Sequence, residues 1–228
     1  MDFAGQRPSI SPSDEKMYRL VIMQQPRIGR TCGHVDKGDR RVIDPPPILQ
    51  LHIENRHTGR PYQAFLEPSS FILYASIGTP EEFRRGSPMQ NKYAAGSLAA
   101  NLMRLKDPDN VEGAFFVFPQ LGVKVEGTFQ IRFNLFEIDG SMVLPRAQIF
   151  SDPFIVYSPR QFPGPFESTF LSRTFADQGV KIRKMLSPSD DLYDEPFMSQ
   201  TPQMGAPPHV MTYPIVQNAS RYSYETYQ

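Results

Sequence analysis

The feature that most constrains the fold of this sequence is the run from Thr128 to Ile138, where apolar and polar residues alternate at the period of a β-strand. The apolar members that share one face of such a strand are Phe129, Ile131, Phe133 and Leu135. One buried face and one wet face are typical of a strand in a sandwich of antiparallel sheets. Phe136 and Ile138 leave this phase, which indicates a β-bulge or a second buried face where a partner packs.

Other segments rich in strand-forming residues surround this run, and they predict an all-β domain. They are residues 18–23, 48–53, 71–76, 114–118, 122–125, 148–150 and 154–157. The 23 prolines and 15 glycines disfavour long helices. Two short inserted helices are nevertheless predicted. One spans 94–105, from the spacing of Ala94, Leu98, Leu102 and Leu105, and the other spans 168–177, with Gly179 as its C-terminal cap.

The 228 residues suffice for one substantial domain with tails. We expect a disordered segment over 1–17, a domain over 18–184 and a disordered tail rich in Pro, Ser and Tyr over 185–228. The tail is acidic, as in some activation segments, and a merely solvated tail explains it equally well. No secretory leader or membrane-spanning run is present in this sequence, which predicts a protein of a reducing compartment with no membrane partner.

Lysine plus arginine equals aspartate plus glutamate, at 24 each, so an affinity for nucleic acid requires an uneven placement of charge. The segment from residue 27 to residue 41 provides it, on a loop hinged by glycines. Its basic residues are Arg27, Arg30, Lys37, Arg40 and Arg41. Such a loop can approach phosphates while arginine forks bond guanine in the major groove. The alternative is a solvated loop whose arginines pair with Asp36, Asp39 and Asp44.

Other candidate residues are few. Cys32, the one cysteine, is either a redox-sensitive thiol or, as we favour, a small buried filler. Lys181, Arg183 and Lys184 suit a short nuclear-import signal or a solvated strand end. The four histidines are not spaced as metal ligands, and the sequence contains no nucleotide-binding, metalloprotease or serine-hydrolase motif. The sequence therefore predicts a protein that is not an enzyme and that needs neither a metal nor a cofactor.

Three strings carry a resemblance to a known family: QQPRIGRTCGHVDKGDRRVIDPPPILQL, LMRLKDPDNVEGAFFVFPQLGVKVEGTFQIRFNLFEI and FPGPFESTFLSRTFADQGVKIR. Together they resemble the velvet family of fungal developmental regulators over residues 18–184, with a layout similar to its spore-viability branch. His34 and Asp36 stand where the family pattern leads us to expect another basic residue.

The resemblance implies a Rel-type, immunoglobulin-like β-sandwich in which the loop after the first strand binds double-stranded DNA. It also implies a homodimer or a heterodimer with another velvet protein, and a nuclear role with a cytoplasmic pool in sporulation and secondary metabolism. The DNA-binding candidates are then Arg27, Arg30, Lys37, Arg40 and Arg41. The alternative function is a dimerisation module whose velvet partner supplies the DNA contacts, with residues 114–118, Phe136 and Ile138 as interface candidates.

Overall fold

The fold was described from a computed structural model, which describes residues 15–32, 43–64, 70–88, 91–183 and 185. The strands are β1 (Lys16–Gln24), β2 (Ile28–Arg30), β3 (Ile48–Asn55), β4 (Pro61–Tyr62), β5 (Ser70–Gly78), β6 (Ala94–Gly96), β7 (Ala99–Asn101), β8 (Met103–Lys106), β9 (Glu112–Val117), β10 (Leu121–Val123), β11 (Gly127–Asp139), β12 (Met142–Phe150) and β13 (Phe154–Tyr157). The helices are α1 (Pro80–Arg84) and α2 (Phe170–Asp177). The predicted all-β architecture with two short helices is confirmed.

Two sheets form the sandwich. The first has the strand order β1-β3-β9-β8, with β4 also paired to β3, and the second has the order β2-β13-β11-β5-β7, with β12 also paired to β11. A third, two-stranded sheet joins β10 to β6. Apolar side chains from both large sheets meet in one core, where the Phe118 and Phe133 rings lie 5.3 Å apart. This core includes the predicted face of β11, from Phe129 to Leu135.

Strand β9 buries side chains on both faces, which explains its continuous apolar run. Phe116 enters the main core, whereas Phe115 faces outward under α2, 4.8 Å from the ring of Phe175. Residues 114–118 are therefore core, because every one of them is buried within this chain. They leave no surface for a partner, unlike the interface considered above.

The alternation of β11 continues to its end, so the predicted second phase takes a different form. Glu137 occupies the inward face, while Phe136 and Ile138 are half-buried on the outward face. A register shift also occurs here, since Leu135 pairs with Ala147 and Phe136 pairs with Pro145. The bulge leaves Arg146 out of the pairing and brings its Nε within 2.6 Å of the Glu137 carboxylate.

The predicted helix over 94–105 is wrong. The segment forms β6, β7 and β8, and each of these three strands joins a different sheet. The apolar residues do face the core, but pairing with β10, β5 and β9 overrides their helical spacing. Gly96 has a φ of 78°, and a side chain there would collide with the Gln120 carbonyl.

Both helices are defined by their caps. α2 lies within the predicted span 168–177, is capped by Thr169 and ends before Gly179, whose φ is 93°. The sequence analysis missed α1, although its signal was legible. Thr79 accepts a hydrogen bond from the Glu82 backbone, and the Glu82 side chain accepts one from the Thr79 backbone.

β1 begins at Lys16, two residues before the expected domain start, and the rest of the predicted N-terminal segment and the tail from 186 onward lie outside the described residues. None of the described helices has the length and apolar character needed to traverse a bilayer.

Candidate nucleic-acid interface

The basic loop leaves the sandwich from a short strand that is fixed on both sides. After β1, the chain crosses to the second sheet, where β2 pairs in parallel with β13 and places Arg30 opposite Tyr157. Thr31 then forms a parallel bridge with Val123 at the end of β10. Backbone hydrogen bonds of 3.0 Å from Thr31 to Tyr157 and of 2.8 Å from Cys32 to Val123 hold this outgoing leg.

The returning leg of the loop is held equally firmly. The Ile43 amide donates to the Leu121 carbonyl at 2.9 Å, and Ile43 is buried. Asp44 forms an antiparallel bridge with Ile28, and its carbonyl accepts from the Arg27 and Ile28 amides. Residues 33–42 thus connect two anchored ends, as expected of a recognition loop carried by a rigid scaffold.

The described part of the chain contains two of the five predicted DNA-binding residues. Arg27 is exposed, and its guanidinium lies 5.9 Å from the centre of the Phe166 ring. Arg30 is half-buried, and its Nε has no hydrogen-bond partner among the described residues. Lys37, Arg40 and Arg41, together with His34, lie outside the described residues.

The alternative of neutralisation by aspartate can be examined at Asp44. Burial raises the pKa of the Asp44 carboxyl, and a hydrogen bond from the Phe166 amide, at 2.6 Å, opposes that rise. The carboxylate thus contacts the Phe166 backbone, and no ion pair among the described residues joins it to Arg27 or Arg30. Asp36 and Asp39 lie outside the described residues.

Several cations elsewhere in the described ranges pair with carboxylates. These ion pairs are Arg19 with Glu54, Lys92 with Glu82, Arg104 with Glu112, Arg146 with Glu137, and Arg173 with Glu167. Neither Arg27 nor Arg30 takes part in an ion pair with another described residue. Their charges are therefore available to an external anion at this end of the sandwich.

Two cations at this end escaped the sequence analysis. Lys124 directly follows Val123, the bridge partner of Thr31, and Arg160 lies three residues beyond Tyr157, the partner of Arg30. Both side chains are exposed. No local signal reveals them, because only the pairing of segments far apart in the sequence brings them beside the loop.

The remaining candidates have structural surroundings. Cys32 is half-buried, with its Sγ 4.0 Å from the Arg30 carbonyl oxygen. Lys181 and Arg183 are exposed because the alternate residues Val180 and Ile182 pack in the small cluster beneath α2. This arrangement fits a solvated chain end, and Lys184 lies outside the described residues.

A separate pocket of about 230 Å³ lies on the first sheet, away from the loop, and its lining includes Gln50, His52, Arg104 and Glu112. Burial lowers the pKa of His52, and the nearby charge of Arg19 lowers it further. Across the described ranges, no three His, Cys, Asp or Glu side chains are grouped so as to hold a metal ion.

Comparison with known proteins gives a consistent result. The family described as Velvet factor matches residues 18–87 and 79–185. The chain is 40% identical over 215 residues to the spore development regulator RYP2 of Ajellomyces capsulatus, covering 91% of this chain and 52% of that protein. It is 36% identical over 178 residues to the spore development regulator VOSA of Pyricularia oryzae, covering 77% and 34%.

A third relative, a velvet complex protein of Chaetomium globosum, is 38% identical over 173 residues, covering 73% of this chain and 37% of that protein. Further matches are named developmental and secondary metabolism regulators. The chain spans about half or less of the length of these relatives.

Proposed function

The chain belongs to the velvet family, and from that premise we propose that it is a sequence-specific DNA-binding regulator of fungal development, sporulation and secondary metabolism. It acts on double-stranded DNA in the nucleus, with a cytoplasmic pool, and is not an enzyme. The names of the matched relatives support the developmental part of this proposal. The DNA-binding part rests on the loop between Cys32 and Ile43.

The observation that carries the DNA-binding proposal is the anchoring of a cationic loop at both ends. Arg27 and Arg30 lie at its base without a carboxylate partner among the described residues, and the sequence adds Lys37, Arg40 and Arg41 within the loop. Cations near phosphates release counterions and supply affinity that does not depend on sequence. Arginine forks that reach guanine edges add the discrimination between sequences.

The direct test replaces Arg40 or Arg41 by alanine and titrates the folded protein against promoter DNA in a gel-shift assay. Loss of one bidentate base contact is expected to weaken specific binding about 5- to 150-fold, which corresponds to about 1 to 3 kcal/mol. Loss of a phosphate contact instead flattens the plot of log K against log salt by about 0.9.

Arg56→Ala is the matched control, because Arg56 is exposed in the turn after β3, at the opposite end of the first sheet from Gln24. Its affinity should equal that of the wild type. An Arg40→Ala, Arg41→Ala protein that remains folded and binds with unchanged affinity and salt dependence would contradict the proposal.

A second candidate function, pairing with another velvet protein or with a second copy of this chain, is favoured by the outward face of the second sheet. Phe136 and Ile138 are half-buried on that face, and Val143, the pairing partner of Ile138, is 61% exposed. A velvet-family partner is the occupant we propose, in keeping with a relative that is named as part of a velvet complex. If that partner supplied all DNA contacts, this chain alone would not bind DNA.

A further inference from the structure

Three neighbouring chain segments run in the same direction where the basic loop begins. β2 pairs in parallel with β13 on one side, and Thr31 bridges Val123 of β10 in parallel on the other. The carboxyl ends of parallel neighbours meet at one edge of a sheet. The residues that follow Arg30, Tyr157 and Val123 therefore leave the sandwich at the same end.

The two outer segments each turn immediately and place one cation at this edge. Lys124 opens the turn that precedes β11, and Arg160 lies in a turn closed by a 3.2 Å hydrogen bond from the Gln161 amide to the Ser158 carbonyl. Adjacent strands are about 4.8 Å apart, so the outer segments lie roughly 10 Å apart, on either side of the outgoing leg.

The local charges leave both cations available. Lys124 and Arg160 are exposed and form no ion pair with any described residue. The carboxylates at this end are Glu126, two residues after Lys124, and Asp44, which contacts the Phe166 amide. With Arg27 and Arg30, four described cations therefore face two carboxylates at this end.

We propose that Lys124 and Arg160 contact phosphates of the duplex on either side of the loop and so hold the DNA in register against it. This inference rests on the proposed DNA-binding function and adds two residues that determine position and not sequence. The Lys124 ammonium would act as a point charge, and the Arg160 guanidinium as a fork suited to phosphate oxygens. The contribution of both should be the same for every DNA sequence.

The test is a full-length Lys124→Ala/Arg160→Ala variant, titrated over a salt series against a selected duplex and a scrambled duplex of equal length. The loss of two phosphate contacts should flatten the salt slope by about 1.8, at about 0.9 for each contact. The affinities for both duplexes should fall by the same factor. Circular dichroism checks folding, and a Lys124→Gln/Arg160→Gln variant repeats the test with larger side chains.

Arg56→Ala/Arg60→Ala is the matched control, because it removes two exposed cations from the turn at the opposite end of the first sheet. Its salt slope should equal that of the wild type. An unchanged slope in the Lys124/Arg160 variants, an equal loss in the control, or a loss confined to the selected duplex would overturn the inference while leaving the loop proposal intact. A wild-type chain that binds no duplex would overturn both.

Discussion

The Glu137 carboxylate and the Arg146 guanidinium form an ion pair at the seam between the two sheets. Both side chains are largely buried, with 5% and 15% of their surfaces exposed, and their closest atoms are 2.6 Å apart. Tyr18 of β1 donates its hydroxyl to Glu137 at 2.9 Å, and the Arg146 guanidinium lies 5.1 Å from the Tyr18 ring centre. This cluster ties β1 to β11 and β12.

Because a buried charge without its partner is costly, Glu137→Gln should destabilise the domain strongly. The expected loss is about 3 kcal/mol of the free energy of unfolding, at the lower end for a broken buried pair, since glutamine still accepts a hydrogen bond. Denaturation in urea measures this loss.

Glu112→Gln breaks the exposed Arg104 pair in the same way and should cost about 0 to 1 kcal/mol. Equal losses in the two variants would show that burial does not set the importance of these pairs.

At the scale of elements, α2 is linked to the base of the loop through its N-terminal cap. Thr169 accepts a hydrogen bond from the Ser172 amide and donates one to the Gln24 side chain. Gln24 is buried and donates to the Pro46 carbonyl at 2.7 Å and to the Ser172 hydroxyl at 2.9 Å. The end of β1, the returning leg of the loop and the helix therefore share one hydrogen-bond cluster.

Thr169→Ala is expected to lower the free energy of unfolding by about 1 to 2 kcal/mol, because it removes the cap and leaves Gln24 short of a partner. Thr174→Ala is the control within the same helix. It removes only the hydrogen bond to the Phe170 carbonyl and should change stability by less than about 0.5 kcal/mol. Chemical denaturation distinguishes the two, and a neutral Thr169→Ala variant would refute this role of the cap.

How well an element could be predicted depended on whether its signal was local. The alternation of β11 and the cap and final glycine of α2 lie within their own residues, and both elements were predicted correctly. The segment 94–105 failed because its pairing partners lie elsewhere in the chain. The same reason hid Lys124 and Arg160, which reach the loop only through the pairing of β2 and Thr31 with distant strands.

Considered as a whole, the molecule has no net charge, yet the charge is unevenly arranged around the sandwich. Cations without ion-pair partners among the described residues gather where β2, β10 and β13 end. The outward face of the second sheet, with Phe136, Ile138 and Val143, is apolar. We propose that the cationic end serves the duplex and the apolar face a velvet partner, so that one chain can bind both together.

The most direct test of the central claim, that the loop of this chain itself reads DNA, is selection of bound duplexes from a random pool. The wild-type chain and the Arg40→Ala/Arg41→Ala variant are compared, each alone and with a velvet partner. The wild type alone should enrich a defined sequence, and the variant alone should lose that enrichment. Enrichment that appears only with the partner and is the same for the wild type and the variant would contradict the account.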